Sequence, residues 1–227
     1  MNGKLIIIEA GDGSGKATQT EKLYHRLKEE KRTVRKVSFP DYKSSSSALI
    51  KMYLNGDFGN SPDSVNPYAA SSFYAVDRYA SYKQDWGDFY KQGGIIIADR
   101  YTTSNMVHQA VKIHVQEEKD AFLDWLWDLE FVKFGLPIPD GVIFLDMPPM
   151  YSKILREERA KINGQQTPDI HERDEQYLEN CYSNYCAIAD KYNWCKISCI
   201  HHTRLKTVDE IHEDVYQSVQ NILANNK

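Results

Sequence analysis

The 227-residue sequence predicts an α/β fold: a three-layer, doubly wound, five-stranded parallel sheet with helices on both faces. Three observations predict it. Near-continuous apolar runs at 4–9 (KLIIIE), 95–98 (IIIA) and 141–145 (GVIFL) mark strands buried on both faces, as in parallel sheets. Segments of helical period separate the runs along the whole chain. A glycine-rich loop directly follows the first run and opens the first helix.

Taken in order, residues 4–9 form the first strand and 15–30 the first helix. Residues 33–38 (TVRKVS) alternate and read as the second strand. The four serines at 44–47 suit the N-terminal cap region of a helix. A long helix spans 67–90 and stops at Gln92-Gly93-Gly94, before the third strand at 95–98. Residues 119–134 place Phe122, Trp125, Leu126, Leu129 and Val132 at helical spacing. The fourth strand (141–145), helices at 150–158 and 172–192, a fifth strand at 194–200 and a helix at 208–223 complete the set. Neither an internal repeat nor a linker interrupts them, so residues 1–227 read as one domain. The most loop-like stretch is 163–168, NGQQTP.

Composition narrows the function classes. Lys+Arg number 28 and Asp+Glu 32, a net charge of −4, which argues against a protein that coats nucleic acid through a basic face. Hydrophobic residues make up 41%, enough to build a core. No apolar run approaches the roughly 20 residues of a membrane span, nor does the N-terminus offer a secretory apolar segment of about 7–15. Cys181, Cys186, Cys195 and Cys199 lack the C-x2-C spacing of a zinc site. They read as reduced packing residues, and the chain as cytoplasmic.

Residues 9–18 (EAGDGSGKAT) have the context a phosphate loop needs: strand before, helix after. Glycines let backbone N–H groups converge on phosphate oxygens, and the helix N-terminus adds partial positive charge. Lys16 supplies a point charge. Gly11, Asp12, Gly13, Ser14, Gly15, Lys16, Ala17 and Thr18 are therefore the candidate nucleotide-phosphate residues. The strict pattern G-x-x-x-x-G-K-[ST] has Ala10 and Ala17 at its two ends. With no hydroxyl at 17, Mg²⁺ would draw on Thr18 or on waters and carboxylates, Asp99 above all.

Asp99-Arg100 sits at the carboxyl end of the third strand, the edge that faces the ligand crevice in doubly wound sheets. Ser104, Asn105, His108 and Gln109 follow at roughly helical spacing. In the long helix, Tyr74 and Arg78 share a face, a ring to stack on a base and a guanidinium to donate to its carbonyl. Taken singly, a glycine turn, a capped helix start and core packing with a surface ion pair would explain these three features as well.

Together and in this order, the elements resemble the thymidylate kinase family over nearly the whole chain. The matching motifs are E-x-x-D-G-S-G-K-x-T-Q, Phe39-Pro40, F-Y-A-x-D-R, D-R-Y-x-x-S-x-x-x-x-Q, G-L-P-x-P-D at 135–140, and L-D-x-P at 145–148. The resemblance implies a P-loop NTPase fold and transfer of phosphate from ATP, with Mg²⁺, to dTMP. It implies that Tyr74 lies on the thymine ring, Arg78 reaches the base carbonyl, and Asn105 with Ser104 reads the N3 edge. Arg100 would grip the monophosphate, Asp12 and Asp99 would sit by sugar, phosphate and metal, and Phe39 and Pro40 would wall the pocket. Gln109 falls in the same motif, and His108 stands where the family often has a Tyr beside the sugar 2′ position. One family type carries an arginine inside the phosphate loop; here that slot is Gly13. The other type delivers it from a lid, placed here at about 156–173 with Arg156 and Arg159 as charge stabilisers. The family's D-R-[FY]-E appears as Asp169-Ile170-His171-Glu172, without its arginine. A homodimer is implied, with the helices at 67–90 and 119–134 as candidate faces.

Two other readings stay open on the sequence. One is a kinase for a different deoxynucleoside monophosphate, or for a deoxynucleoside. The other is a nucleotide-binding protein that has lost catalysis, motivated by Ala17 and Ile170.

Overall fold

The computed structural model describes residues 3–163 and 169–224; the side chains of 159, 160, 162 and 163 also lie outside that description. The expected lid arginine Arg159 and residues 164–168 of the expected lid are thus outside the described residues.

The chain runs β1 (Lys4–Glu9), α1 (Lys16–Glu29), β2 (Val34–Ser38), α2 (Ala48–Asn55), α3 (Pro67–Ser81), α4 (Gly87–Lys91), β3 (Ile95–Asp99), α5 (Thr102–His108) and α6 (Gln116–Trp127). It continues through β4 (Gly141–Asp146), α7 (Pro149–Asn163), α8 (Glu175–Lys191), β5 (Cys195–Ser198), β6 (Ile200–His201), β7 (Arg204–Leu205) and α9 (Val208–Ala224). β1 to β5 form the expected five-stranded parallel sheet, in the order β2-β3-β1-β4-β5.

Strand periodicity divides the core into layers, because successive side chains point to opposite faces. Ile6, Ile8, Ile97, Ile143 and Leu145 pack with Leu23 and Leu27 of α1 and with Ile211, Val215 and Val219 of α9. Leu5, Ile7, Ile96 and Ala98 pack on the other face with Phe39, Trp86 and Tyr101. Phe144 joins that side through Phe122, Leu126 and Tyr185 of α6 and α8. The register pairs Ile8 with both Asp99 and Ile143, so the carboxyl ends of β1, β3 and β4 meet at one edge.

The boundaries differ from expectation in three places. The helix expected over 67–90 is α3, a π-helical turn Tyr82–Trp86, and α4. Gly87 donates its N–H to Tyr82 O, and a Cβ at Gly87 would lie 2.4 Å from that oxygen, so the widened turn needs glycine. A second π-helical turn, Asp128–Lys133, extends α6 and turns Glu130 fully inward. The serine run does cap a helix, as expected: Ser44 Oγ accepts from Ser46 N, and the short 3₁₀ turn Ser45–Ser47 leads into α2, which ends at Gly56 with φ +87°. The chain leaves the sheet after Ser198, and Ile200–His201 pairs antiparallel with Arg204–Leu205 instead. All four cysteines are free.

Candidate functional site

β1 ends at Glu9, and the loop from Gly11 to Gly15 bends back to start α1. Gly13 (φ +80°) and Gly15 (φ +77°) take a left-handed backbone that L side chains rarely adopt. No side chain caps the N-terminus of α1, which leaves its first-turn N–H groups facing the loop. Ser14 Oγ is buried without a hydrogen-bond partner. An anion seated in the loop would satisfy both. The loop lines a cavity of about 370 Å³ whose far wall is Leu205, Lys206, Val208 and Ile211. Phosphate donors stand at one end and apolar side chains at the other. Thr18 and Ala17 are exposed and border this cavity.

Lys16 Nζ lies 2.7 Å from Asp99 Oδ1, an ion pair set by the neighbouring ends of β1 and β3. Burial first, and Arg100 second, push the Lys16 ammonium below its ordinary pKa, against the pull of Asp99. Asp99 borders a second cavity, of about 280 Å³, together with Lys16 and Asp12. Asp12, Lys16 and Glu172 line both cavities, so the two share a border at the phosphate loop. Thr18 borders only the first of the two and Asp99 only the second.

The second cavity gathers most of the residues singled out in the sequence: Phe39, Pro40, Tyr74, Arg78, Arg100, Ser104, Asn105, His108 and Gln109. Arg78 is almost fully buried and locked to Glu130, Nε to Oε2 at 2.6 Å and Nη2 to Oε1 at 2.5 Å. Thr102 Oγ1 donates to the same carboxylate at 2.7 Å. Arg78 is thus a buried, two-pronged ion pair, and the surface salt bridge weighed for it in the sequence does not form. Asn105 Nδ2 donates to Ser71 O at 3.4 Å. Gln109 Oε1 is buried and unpartnered. Asp77 accepts from Asp41 N (2.9 Å) and Ser46 Oγ (2.6 Å), which fixes the segment after Phe39-Pro40.

Arg100 sits at φ +69°, a strained position for a non-glycine residue. Its Nη2 pairs with Asp12, and its Nη1 faces His108 Nε2 at 3.2 Å and Tyr185 OH at 3.4 Å. Burial alone would raise the Asp12 pKa, but Arg100, with help from Lys16, holds it well below the usual carboxylate range. Beneath this pair, the fully buried Glu9 accepts from Thr103 Oγ1 (2.6 Å), Ser104 Oγ (2.8 Å) and Tyr185 OH (3.0 Å). Glu9, Asp77 and Tyr185 received no role from the sequence. Glu9 and Asp77 stand inside the motifs, but nothing local tells a buried acceptor from a solvated acid.

The expected lid residues divide. Arg156 Nη1 donates to Asp12 O at 3.1 Å, and the Arg156 stem covers Gly13. It borders a third cavity of about 260 Å³ rather than either of the first two. Ile170 is buried among Ile50, Tyr53, Leu54 and Ala70, and its N–H donates to Leu54 O at 3.2 Å. His171 lines the second cavity and meets Tyr53 OH through Nε2 at 2.9 Å, while Lys112 Nζ donates to that hydroxyl at 2.8 Å. Asp169 Oδ1 accepts from His171 N and Glu172 N. Residues 169–172 are therefore moored to α2. The resemblance left a catalytic arginine missing at 170; the structure puts an apolar anchor there. Arg173 is exposed.

A family model described as thymidylate kinase matches residues 8–215. A thymidylate kinase of Mycobacterium tuberculosis (strain H37Rv) is 32% identical over 190 residues, covering 82% of this chain and 85% of the relative. A probable thymidylate kinase of Thermococcus onnurineus is 26% identical over 220 residues, covering 96% and 98%. Among solved structures, a thymidylate kinase from Candida albicans matches with a TM-score of 0.69 at 24% identity, over 97% of this chain and 92% of that one. At that identity the structural match speaks for the fold.

Proposed function

The chain belongs to the thymidylate kinase family, and we propose that it transfers the γ-phosphoryl group of ATP to dTMP, giving dTDP and ADP. One observation carries the reading. Two cavities share a border at Lys16 and Asp12, one lined by a phosphate loop and the other by Arg100 and a planar-ring pocket. A donor triphosphate and an acceptor monophosphate seated there would meet at Lys16.

Transfer between two phosphates needs alignment and charge neutralisation more than covalent chemistry. The loop N–H groups and Lys16 hold the donor phosphates. Arg100, fixed at both terminal nitrogens, holds the acceptor phosphate in line. Tyr74 offers its ring to the base, Phe39 and Pro40 wall it, and Arg78, with Nε and Nη2 on Glu130 and Nη1 donating to Tyr101 O at 3.4 Å, has its second Nη1 hydrogen for the base carbonyl. Asn105 and Gln109 supply further polar edges. Arg156, against the loop backbone, adds positive charge beside Gly13.

Among the described residues no group of three or more ligating side chains gathers for a metal. That fits Mg²⁺, which is commonly held by one or two carboxylates and the substrate phosphates. Asp99 and Asp12 are the carboxylates at hand, and Thr18 offers a hydroxyl on the loop side. Held by these residues, the ion would supply positive charge to offset that of the phosphates.

The chain acts as a single nucleotide-kinase domain in the cytoplasm, on small nucleotides rather than nucleic acid or membrane. No helix among the described residues is long and apolar enough to cross a membrane. A homodimer is supported by Val76, Tyr79, Trp127 and Val132, which remain exposed on α3 and on α6 with its π-helical extension. Tyr79 and Phe134 join these helices at 5.2 Å between ring centroids.

ADP release with ATP and Mg²⁺ across dTMP, dUMP, UMP, dCMP, AMP, GMP and thymidine tests the reading. dTMP is expected to turn over with the highest kcat/KM. Calorimetric binding of ATP and dTMP with no ADP formed would overturn it.

A further inference from the structure

We infer that His108 is a positioning residue for Arg100: its Nε2 accepts the hydrogen bond that fixes Arg100 Nη1, while Nδ1 is held by Cys181. The inference rests on the reading of Arg100 as the residue that holds the acceptor phosphate.

The donor inventory decides the arrangement. A guanidinium only donates, so Nε2, which lies 3.2 Å from both Arg100 Nη1 and Tyr185 OH, can serve Nη1 only through its lone pair, and we assign it that role. The neutral ring then carries its proton on Nδ1, which lies 3.4 Å from Cys181 Sγ. Tyr185 OH lies 3.0 Å from Glu9 Oε2 and gives its single proton there, so it faces Arg100 as a second acceptor. Asp12 holds Nη2. Both ring nitrogens of His108 are thereby committed within the protein, and the guanidinium is fixed at both ends. The strained backbone at Arg100 gives that fixing a purpose, since φ +69° aims the side chain into a direction its own backbone does not favour.

The ring's surroundings keep it in the accepting form. Facing it are Arg100 beyond β3, Asp12 and Lys16 from the phosphate loop, and Glu9 through Tyr185. His171 lies parallel at 6.1 Å, and α8 contributes Tyr177, Cys181 and Tyr185. Burial first, then Arg100, drives the His108 pKa well below the ordinary imidazole value. Cys181, pushed up to about 12 chiefly by burial, stays a thiol. A protonated ring would carry N–H on both nitrogens and could no longer accept from Arg100.

The test is steady-state kinetics of H108F, H108Q and R100A. H108F keeps a ring but no acceptor; H108Q places Oε1 near the position of Nε2 without a titrating group. The expected result is a KM for dTMP raised about tenfold in H108F, the scale of one hydrogen bond to a charged group, with the KM for ATP little changed. H108Q regains most of that loss. Equal impairment of the dTMP KM in H108F and H108Q overturns the inference, as does an unchanged dTMP KM in H108F. If H108F does not fold, H108Q decides alone: a dTMP KM near the wild-type value supports the inference, and one raised about tenfold overturns it. An unchanged dTMP KM in R100A would instead overturn the assignment of Arg100, and the role of His108 with it.

Discussion

Arg156 occupies the space that a side chain at Gly13 would need: a Cβ there would lie 2.4 Å from Arg156 Cγ and 2.9 Å from Ser152 O. The position that carries an arginine in the loop of one family type is here a glycine. An arginine from α7 lies over it, bound to Asp12 O. The two features are two sides of one packing arrangement, since neither residue leaves room for the other's alternative.

Gly13→Ala is therefore expected to destabilise the fold by about 1–2 kcal/mol through its left-handed backbone alone. The displaced Arg156 and the Ser152 carbonyl add to the cost. Urea unfolding measures the first effect, and a rise in the KM for ATP reports the disturbed loop. A variant as stable and active as wild type would refute the packing account.

Lys16→Ala is expected to lower kcat/KM by at least about two orders of magnitude, the scale of losing one charge aimed at the transferring group. Circular dichroism should show an intact fold. Near-normal turnover would refute the phosphate-loop assignment.

Glu130→Ala leaves Arg78 buried without its partner. The expected cost is about 3–5 kcal/mol, measured by denaturant midpoint, because an unpaired interior charge is penalised heavily. The KM for dTMP should rise as well, since Arg78 loses the two bonds that orient it.

Ile170→Arg would supply the arginine the family motif carries at this position. In this fold it would place a cation among Ile50, Tyr53, Leu54 and Ala70. A loss of about 2–4 kcal/mol is expected, with no gain in kcat. An increased kcat at unchanged stability would show that the segment can re-form as a catalytic lid.

Stability should fall with acid before the carboxylates titrate. Burial first and positive neighbours second depress His171 to about 3, and burial first, then Arg100, depresses His108 well below the ordinary imidazole value. Unfolded imidazoles bind protons below about 6.5, whereas these two do not, so the unfolded state gains protons first. The stabilisation is complete above that value and is lost as pH falls from it towards the folded pKa values. Melting temperatures recorded over this window should drop, and His171→Phe should flatten the drop. A pH-independent melting temperature there would contradict the buried, neutral pair.

The sequence by itself determined the sheet, its parallel strands and the order of the motifs. Those signals are local: continuous apolar runs at 4–9, 95–98 and 141–145, and glycines at a strand-to-helix turn. It also picked out Lys16, Arg100, Tyr74 and Asn105 as polar or aromatic groups with no local structural duty. Only the tertiary structure decided what their neighbours do. Glu9, Glu130, Asp77 and Tyr185 look like ordinary residues until strands and helices distant in sequence bring a guanidinium or a row of hydroxyls against them. Ile170 looked like a missing arginine until α2 was seen to cover it. The physical reason is that periodicity encodes which way a residue faces, whereas a partner more than 50 residues away, as Glu130 is from Arg78, is encoded only in the packed fold.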